Sequence, residues 1–247
     1  MWISPTAVVP IGKPTPTPTR ARHRRLLYGW PVSEANDRAV ETVDEDPHEG
    51  GFRAHAAITT DRGGPRYGEF SEQVRLLMDN ARYACPDDEL VDELIESLKA
   101  LNDRLADSRI DEWHSPAGTR IDLPSRGNIT LPPYVVTEVN DNGVVAELTF
   151  RDFHLGGNNA AHGGHVAVAF DDVGGFASAV AIQHVSRTAY LTVQYRSITP
   201  LNTPLRIHAW ADRIEGRKVF IKGTLHDGDR LCAEMDALFI KLNPGQA

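Results

Sequence analysis

The residues best placed to do chemistry are His162-Gly163-Gly164, with Asp171 nine residues after the histidine and Asp172 beside it. The His-Gly-Gly opens a run of small and apolar residues that continues to about Ala181. If that run is helical, its first turn presents backbone N–H groups without internal partners. An N–H at a helix N-terminus, helped by the helix dipole, is a ready donor to a developing oxyanion. Glycine at 163 or 164 lets a reacting carbonyl approach, because no side chain blocks it. The two carboxylates fall about two and a half turns into a nearly apolar helix. An unpaired buried carboxylate is costly, so at least one must face a cleft or a partner chain.

The elements that must position these groups follow from the pattern around them. Glycine and valine are mediocre helix formers, so a helix over 163–181 would be marginal if exposed. It is stable only if wrapped by other structure. Tyr134–Asn140 and Val144–Arg151 alternate with period two around Asn140-Asp141-Asn142-Gly143, a strong hairpin turn. After the helix come four strand-like runs, Arg187–Arg196, Pro204–Ile214, Lys218–Leu225 and Arg230–Leu242, with Glu215-Gly216 and Asp227-Gly228-Asp229 as the last two turns. Strand, strand, helix and four strands in succession make an α+β fold, an antiparallel sheet curled around one helix. The other face of that sheet then calls for a helical cover or for dimerisation.

Upstream the chain changes character. Residues 1–52 are first Pro/Thr-rich, then basic at Arg20, Arg22, Arg24 and Arg25, then acidic. They read as a disordered leader and a solvated linker. Over 69–108, Phe70, Val74, Leu77 and Ala81 recur at helical spacing. Cys85-Pro86-Asp87 interrupts, and Leu90, Val91, Leu94, Ile95, Leu98, Leu101 and Leu105 form a second apolar stripe. This is a helical hairpin, expected to pack on the body of its own chain or a partner. Residues 109–133, rich in Pro and Gly, form a connector, and 134–243 form the main domain.

Composition narrows the function. The chain has 247 residues, 41% hydrophobic and 24% charged, and a formal charge of −8. That balance argues against a nucleic-acid surface. No apolar run reads as membrane-spanning in length, and no secretory signal core is expected at the N-terminus. Cys85 and Cys232 lie in unlike contexts, with neither metal spacing nor a disulfide framework, which suits a reducing cytosol.

The His162-Gly163-Gly164 motif with Asp171, set between strands, resembles the signature of the PaaI-type acyl-CoA thioesterases of the hotdog-fold thioesterase superfamily. Leu191–Pro200 is similar to the strand and proline turn that follow the helix there. The likeness covers about residues 130–243. It implies hydrolysis of a fatty or aryl acyl-CoA to free acid and CoA, without metal or redox cofactor. It implies the Gly163 N–H as oxyanion donor with His162 beside it, and Asp171 as general base or as nucleophile. Thr188 occupies the family's Ser/Thr position seven residues before Tyr195, where a hydroxyl would keep Asp171 ionised. The acid and the Gly-Gly loop come from different subunits in related dimers, so a homodimer or a dimer of dimers is implied. One departure stands out. Many relatives have an amide six residues before the histidine, where this chain has Gly156, with Asn158 and Asn159 displaced toward the motif.

Asn158, Asn159 and Gly164 are accordingly candidate substrate contacts. Arg187 and Arg196, near strand ends with Arg217 and Lys218, are candidate partners for the carrier phosphates. Asp172 is expected to reach solvent or an interface. A metal set from His154, His162, His165 and Asp171 is disfavoured by its place on a loop entering a small-residue helix. Ser178 and Ser186 lack a nucleophile elbow. The competing functions are a non-catalytic acyl-CoA or acyl-carrier binding module and a hotdog hydratase or dehydratase.

Overall fold

In the computed structural model the described residues are 58–141 and 143–243, with the backbone of a short ladder upstream, β1 (Arg24–Arg25) paired to β2 (Pro31–Val32). The rest of the expected leader and linker, up to residue 52, lies outside the described residues. Two helices follow, α1 (Tyr67–Tyr83) and α2 (Asp88–Ala106). Asp87 caps α2, its side chain accepting the Leu90 N–H at 2.9 Å, and Asp88 and Glu89 load the first turn with charge that suits the dipole.

The domain proper begins with β3 (Tyr134–Asn140) and β4 (Gly143–Leu148). A 3-10 turn, Asp152–His154, leads into the small ladder β5 (Leu155–Gly157) and β6 (Ala160–Ala161). The central helix α3 (Gly163–Ile182) and the strands β7 (Ser186–Tyr195), β8 (Leu205–Glu215), β9 (Lys218–Asp227) and β10 (Arg230–Lys241) complete the chain. The sheet is antiparallel throughout and runs β3-β4-β8-β9-β10-β7. The strand after the helix therefore pairs with the last one, leaving β3 and β7 at the two edges.

The sheet curves round α3 as the weak helix formers require. Val166, Phe170, Val173 and Ala177 are buried against Ile207, Ile221, Met235 and Phe239. Two glycines make this contact close. A Cβ on Gly223 in β9 would lie 2.9 Å from the Met235 methyl and 3.3 Å from the Phe170 ring. One on Gly174 in α3 would lie 3.2 Å from both Met235 and Phe239. By length and composition α3 is apolar enough to cross a membrane, contrary to the expectation that no run is; half of that stretch is buried inside this fold.

The two upstream helices form the expected N-terminal extension. α1 is fastened to the domain. Arg151 binds Asp79 at 2.7 Å and Glu72 at 2.7 Å, and the buried Arg75 donates to the Asn128 carbonyl at 2.9 Å. It sits against the 3-10 turn at 152–154 and the connector, not across the open face of the sheet. α2 buries none of its residues and packs extensively on no other element among the described residues.

Candidate active site at the mouth of the central helix

The site is built from the first turn of α3 outward. His162 is the N-cap, and its Nδ1 accepts the Gly164 N–H at 3.0 Å. The Gly164 amide is thus committed to the cap. Its neighbour, the Gly163 N–H, donates to no acceptor among the described residues. Tyr195, at the end of β7, donates its hydroxyl to the Gly163 carbonyl at 2.7 Å and ties the first turn to the sheet edge. A Cβ on Gly163 would meet that hydroxyl at 2.9 Å, so any larger residue here must displace the Tyr195 side chain. Two turns along, Asp171 is exposed, and the Thr188 hydroxyl donates to its Oδ1 at 2.7 Å. Gly164, Val168 and Asp171 are all exposed, at i, i+4 and i+7, so one stripe of α3 is left uncovered beside β7.

The loop before the helix is also explained. Asn158 and Asn159 have φ of 49° and 58° and are the central residues of the β5–β6 hairpin. Two successive positive φ values make the mirror-image turn that suits a two-residue hairpin, and asparagine tolerates it. At Gly156 a Cβ would lie 2.7 Å from the His162 Cα, so the amide found in many relatives does not fit this loop. His154 holds the loop from beneath. It is fully buried, its carbonyl accepts the His162 N–H at 2.8 Å, and its Nδ1 accepts the Arg151 N–H at 2.9 Å. Its ring stands edge-on to His165 at 4.7 Å, and burial, then His165, push its pKa down to about 4. His165 is also held below its ordinary value, by burial and by His162.

Asp172, expected to reach solvent or an interface, is about one-fifth exposed and turns toward the connector. Arg126 grips it with both terminal nitrogens, at 2.9 and 3.0 Å, and the Tyr134 hydroxyl donates to the same carboxylate. Asp172 and Tyr134 hold the buried Arg126 charged despite the opposing effect of burial, while burial and Asp172 push the Tyr134 hydroxyl up. Beside them is a space of about 50 Å³ lined by Leu123, Val136 and Phe176 among others, too small for a fatty acyl chain. Neither Arg126 nor Tyr134 stood out in the sequence. Among the proposed cations, Arg196 is engaged by Glu234 at 2.6 Å and by Gln194, and Arg187 is exposed next to Thr188.

The arrangement offers an available amide at a helix N-terminus and an exposed, hydroxyl-supported carboxylate on one open stripe. Residues 158–234, which carry His162, Gly163, Asp171 and Thr188, match the thioesterase superfamily. Over 85 residues, 34% of this chain, the sequence is 42% identical to the acyl-coenzyme A thioesterase THEM4 of Xenopus laevis and 35% identical to that of Mus musculus. The matched part spans only 38% and 36% of those proteins. Among solved structures, a thioesterase superfamily protein superimposes with a TM-score of 0.64 at 22% identity, covering 74% of this chain and 98% of that one, which extends the shared fold beyond the matched segment. Residues 158–234 thus resemble the thioesterase superfamily, and the C-terminal domain that holds them shares the fold of that solved thioesterase superfamily protein.

Proposed function

We propose that the protein hydrolyses a fatty or aryl acyl-CoA thioester to the free acid and CoA. The observation that carries this reading is the Thr188–Asp171 bond at 2.7 Å on the same uncovered stripe as the unengaged Gly163 amide. The Gly163 N–H would take the carbonyl oxygen as it gains negative charge, a contribution of about 2.7–4 kcal/mol where such donors have been removed. Asp171 would drive the attack, either by deprotonating water or by adding to the carbonyl itself. The C–S bond then breaks, and the CoA thiolate leaves and takes up a proton; where Asp171 itself has added, water hydrolyses the resulting mixed anhydride to free the acid and restore the carboxylate.

Along one helix, eight residues separate Gly163 from Asp171, a rise of about 12 Å. That is too far for both to act on one thioester carbon. Two copies related by a two-fold axis would set Asp171 of one against Gly163 of the other. β7 is the edge strand beside the open stripe, and Tyr190 and Tyr195 on it are about half exposed. An edge strand with uncovered aromatic side chains invites pairing. The site we propose is therefore shared between the copies of a homodimer, with Arg187 and Arg196 the candidates for the carrier phosphates. Two free thiols, Cys85 and Cys232, favour a reducing compartment such as the cytosol.

Thiol release across short, medium, long and aromatic acyl-CoAs tests the activity. Wild type should turn over at least one class, and Asp171→Asn should lose nearly all of that rate. Near-normal turnover by Asp171→Asn would remove Asp171 from the mechanism. Tight acyl-CoA binding with no turnover by wild type would make the protein a binding module.

A further inference from the structure

We infer that α2 is a self-association element that pairs antiparallel with α2 of a second copy of this chain. Val91, Leu94, Leu98, Leu101 and Leu105 are spaced 3-4-3-4, the heptad seam of a two-helix contact. No element among the described residues covers that seam. Leu94, Leu98, Leu101 and Leu105 are each 39–43% exposed, and no α2 residue is buried. A helix of 19 residues with an uncovered apolar face gains little from propensity alone and takes most of its stability from a packing partner.

The charges choose the partner and its direction. Residues 87–96 carry six carboxylates, Asp87, Asp88, Glu89, Asp92, Glu93 and Glu96, and no cation. Residues 97–106 carry Lys99 and Arg104 against Asp103. Parallel pairing would set the acidic halves side by side, within a Debye length of each other and so only partly screened. Antiparallel pairing sets each acidic half against Lys99 and Arg104. It also keeps leucine against leucine, because the seam is nearly symmetric about Ser97-Leu98. Such a surface is its own complement, as a two-fold contact requires. The pairing is independent of the sheet edge and of the proposed activity.

Cross-linking of the full chain tests both the contact and its direction. With Cys85 replaced by serine, Leu98→Cys near the centre of the seam should form a covalent dimer with a short bismaleimide. In wild type the native, exposed Cys85 should not. In the antiparallel pair the two copies of Cys85 are separated by about 36 Å along the axis. Adding Leu94→Glu and Leu101→Glu should abolish the cross-link. These side chains are exposed, so circular dichroism should show the fold intact. Failure of Leu98→Cys to cross-link overturns the inference. So does efficient linkage through Cys85, which means parallel pairing, or a cross-link at Leu98→Cys that survives the two glutamates.

Discussion

At the scale of single residues, the Thr188 hydroxyl holds one oxygen of Asp171 while the other accepts nothing among the described residues. One side of the carboxylate is thus fixed and one is available for chemistry. A hydrogen bond to a charged group contributes about 1.5–3 kcal/mol. If it is needed to aim the acid, Thr188→Val should lower kcat by roughly 10- to 100-fold, with a small change in KM and an unchanged melting temperature, because both groups are exposed. Wild-type kcat in that variant would mean that something else places Asp171. His154 makes a different demand. Its folded pKa is about 4 against an ordinary 6.5, so as pH falls the unfolded chain takes up the proton first. Stability is complete above about pH 6.5, declines as pH falls toward 4, and levels off below. Between pH 6.5 and 5 the loss from this one group is about 2 kcal/mol, at about 1.36 kcal/mol per unit. Urea unfolding of wild type should show that decline. His154→Phe should be less stable at pH 7, having lost the acceptor for the Arg151 N–H, but flatter with pH.

At the scale of elements, adjacent acids on one helix have separate tasks because about 100° of rotation sends them to opposite sides. Asp171 faces β7 and the open stripe. Asp172 faces the connector and binds Arg126 and Tyr134, pinning residues 124–127 to the helix. Removing one partner leaves the other charge poorly solvated, which costs about 3–5 kcal/mol for a buried pair, and the lower end applies here because Asp172 is one-fifth exposed. Arg126→Met should therefore cost about 3 kcal/mol in chemical denaturation, and Tyr134→Phe about 1 kcal/mol. The same pair marks what the sequence could and could not reveal. The helix, the strands and the turn at Asn140–Gly143 were legible because hydrophobic period and turn chemistry are local. The offset from His162 to Asp171 was legible through its resemblance to a family motif. Arg126 was not, because it lies 46 residues before Asp172 with a φ of 55° in a connector that has no period to read. The α2 stripe announced a face needing cover, and periodicity says nothing about where the cover comes from.

At the scale of the whole molecule, the question is whether one chain holds a complete site. The helical rise separates Gly163 from Asp171, β7 has an unpaired edge among the described residues, and the small space near Asp172 cannot take an acyl chain. All three favour a site completed by a second copy. The consequence is measurable by mixing two inactive proteins. Asp171→Asn removes the acid, and Gly163→Val fills the space against Tyr195 and blocks the amide. In a two-fold dimer of one of each, one site carries both lesions and the other carries neither. Dissociating and reassociating a 1:1 mixture gives hybrids in about half the dimers, each with one working site of two. Activity should then recover to about a quarter of wild type, and should follow the rate of subunit exchange. If each chain carried its own complete site, every chain in the mixture would be defective and no recovery would occur at any ratio. Recovery would place the acid and the amide on opposite copies, and would make assembly a condition of turnover.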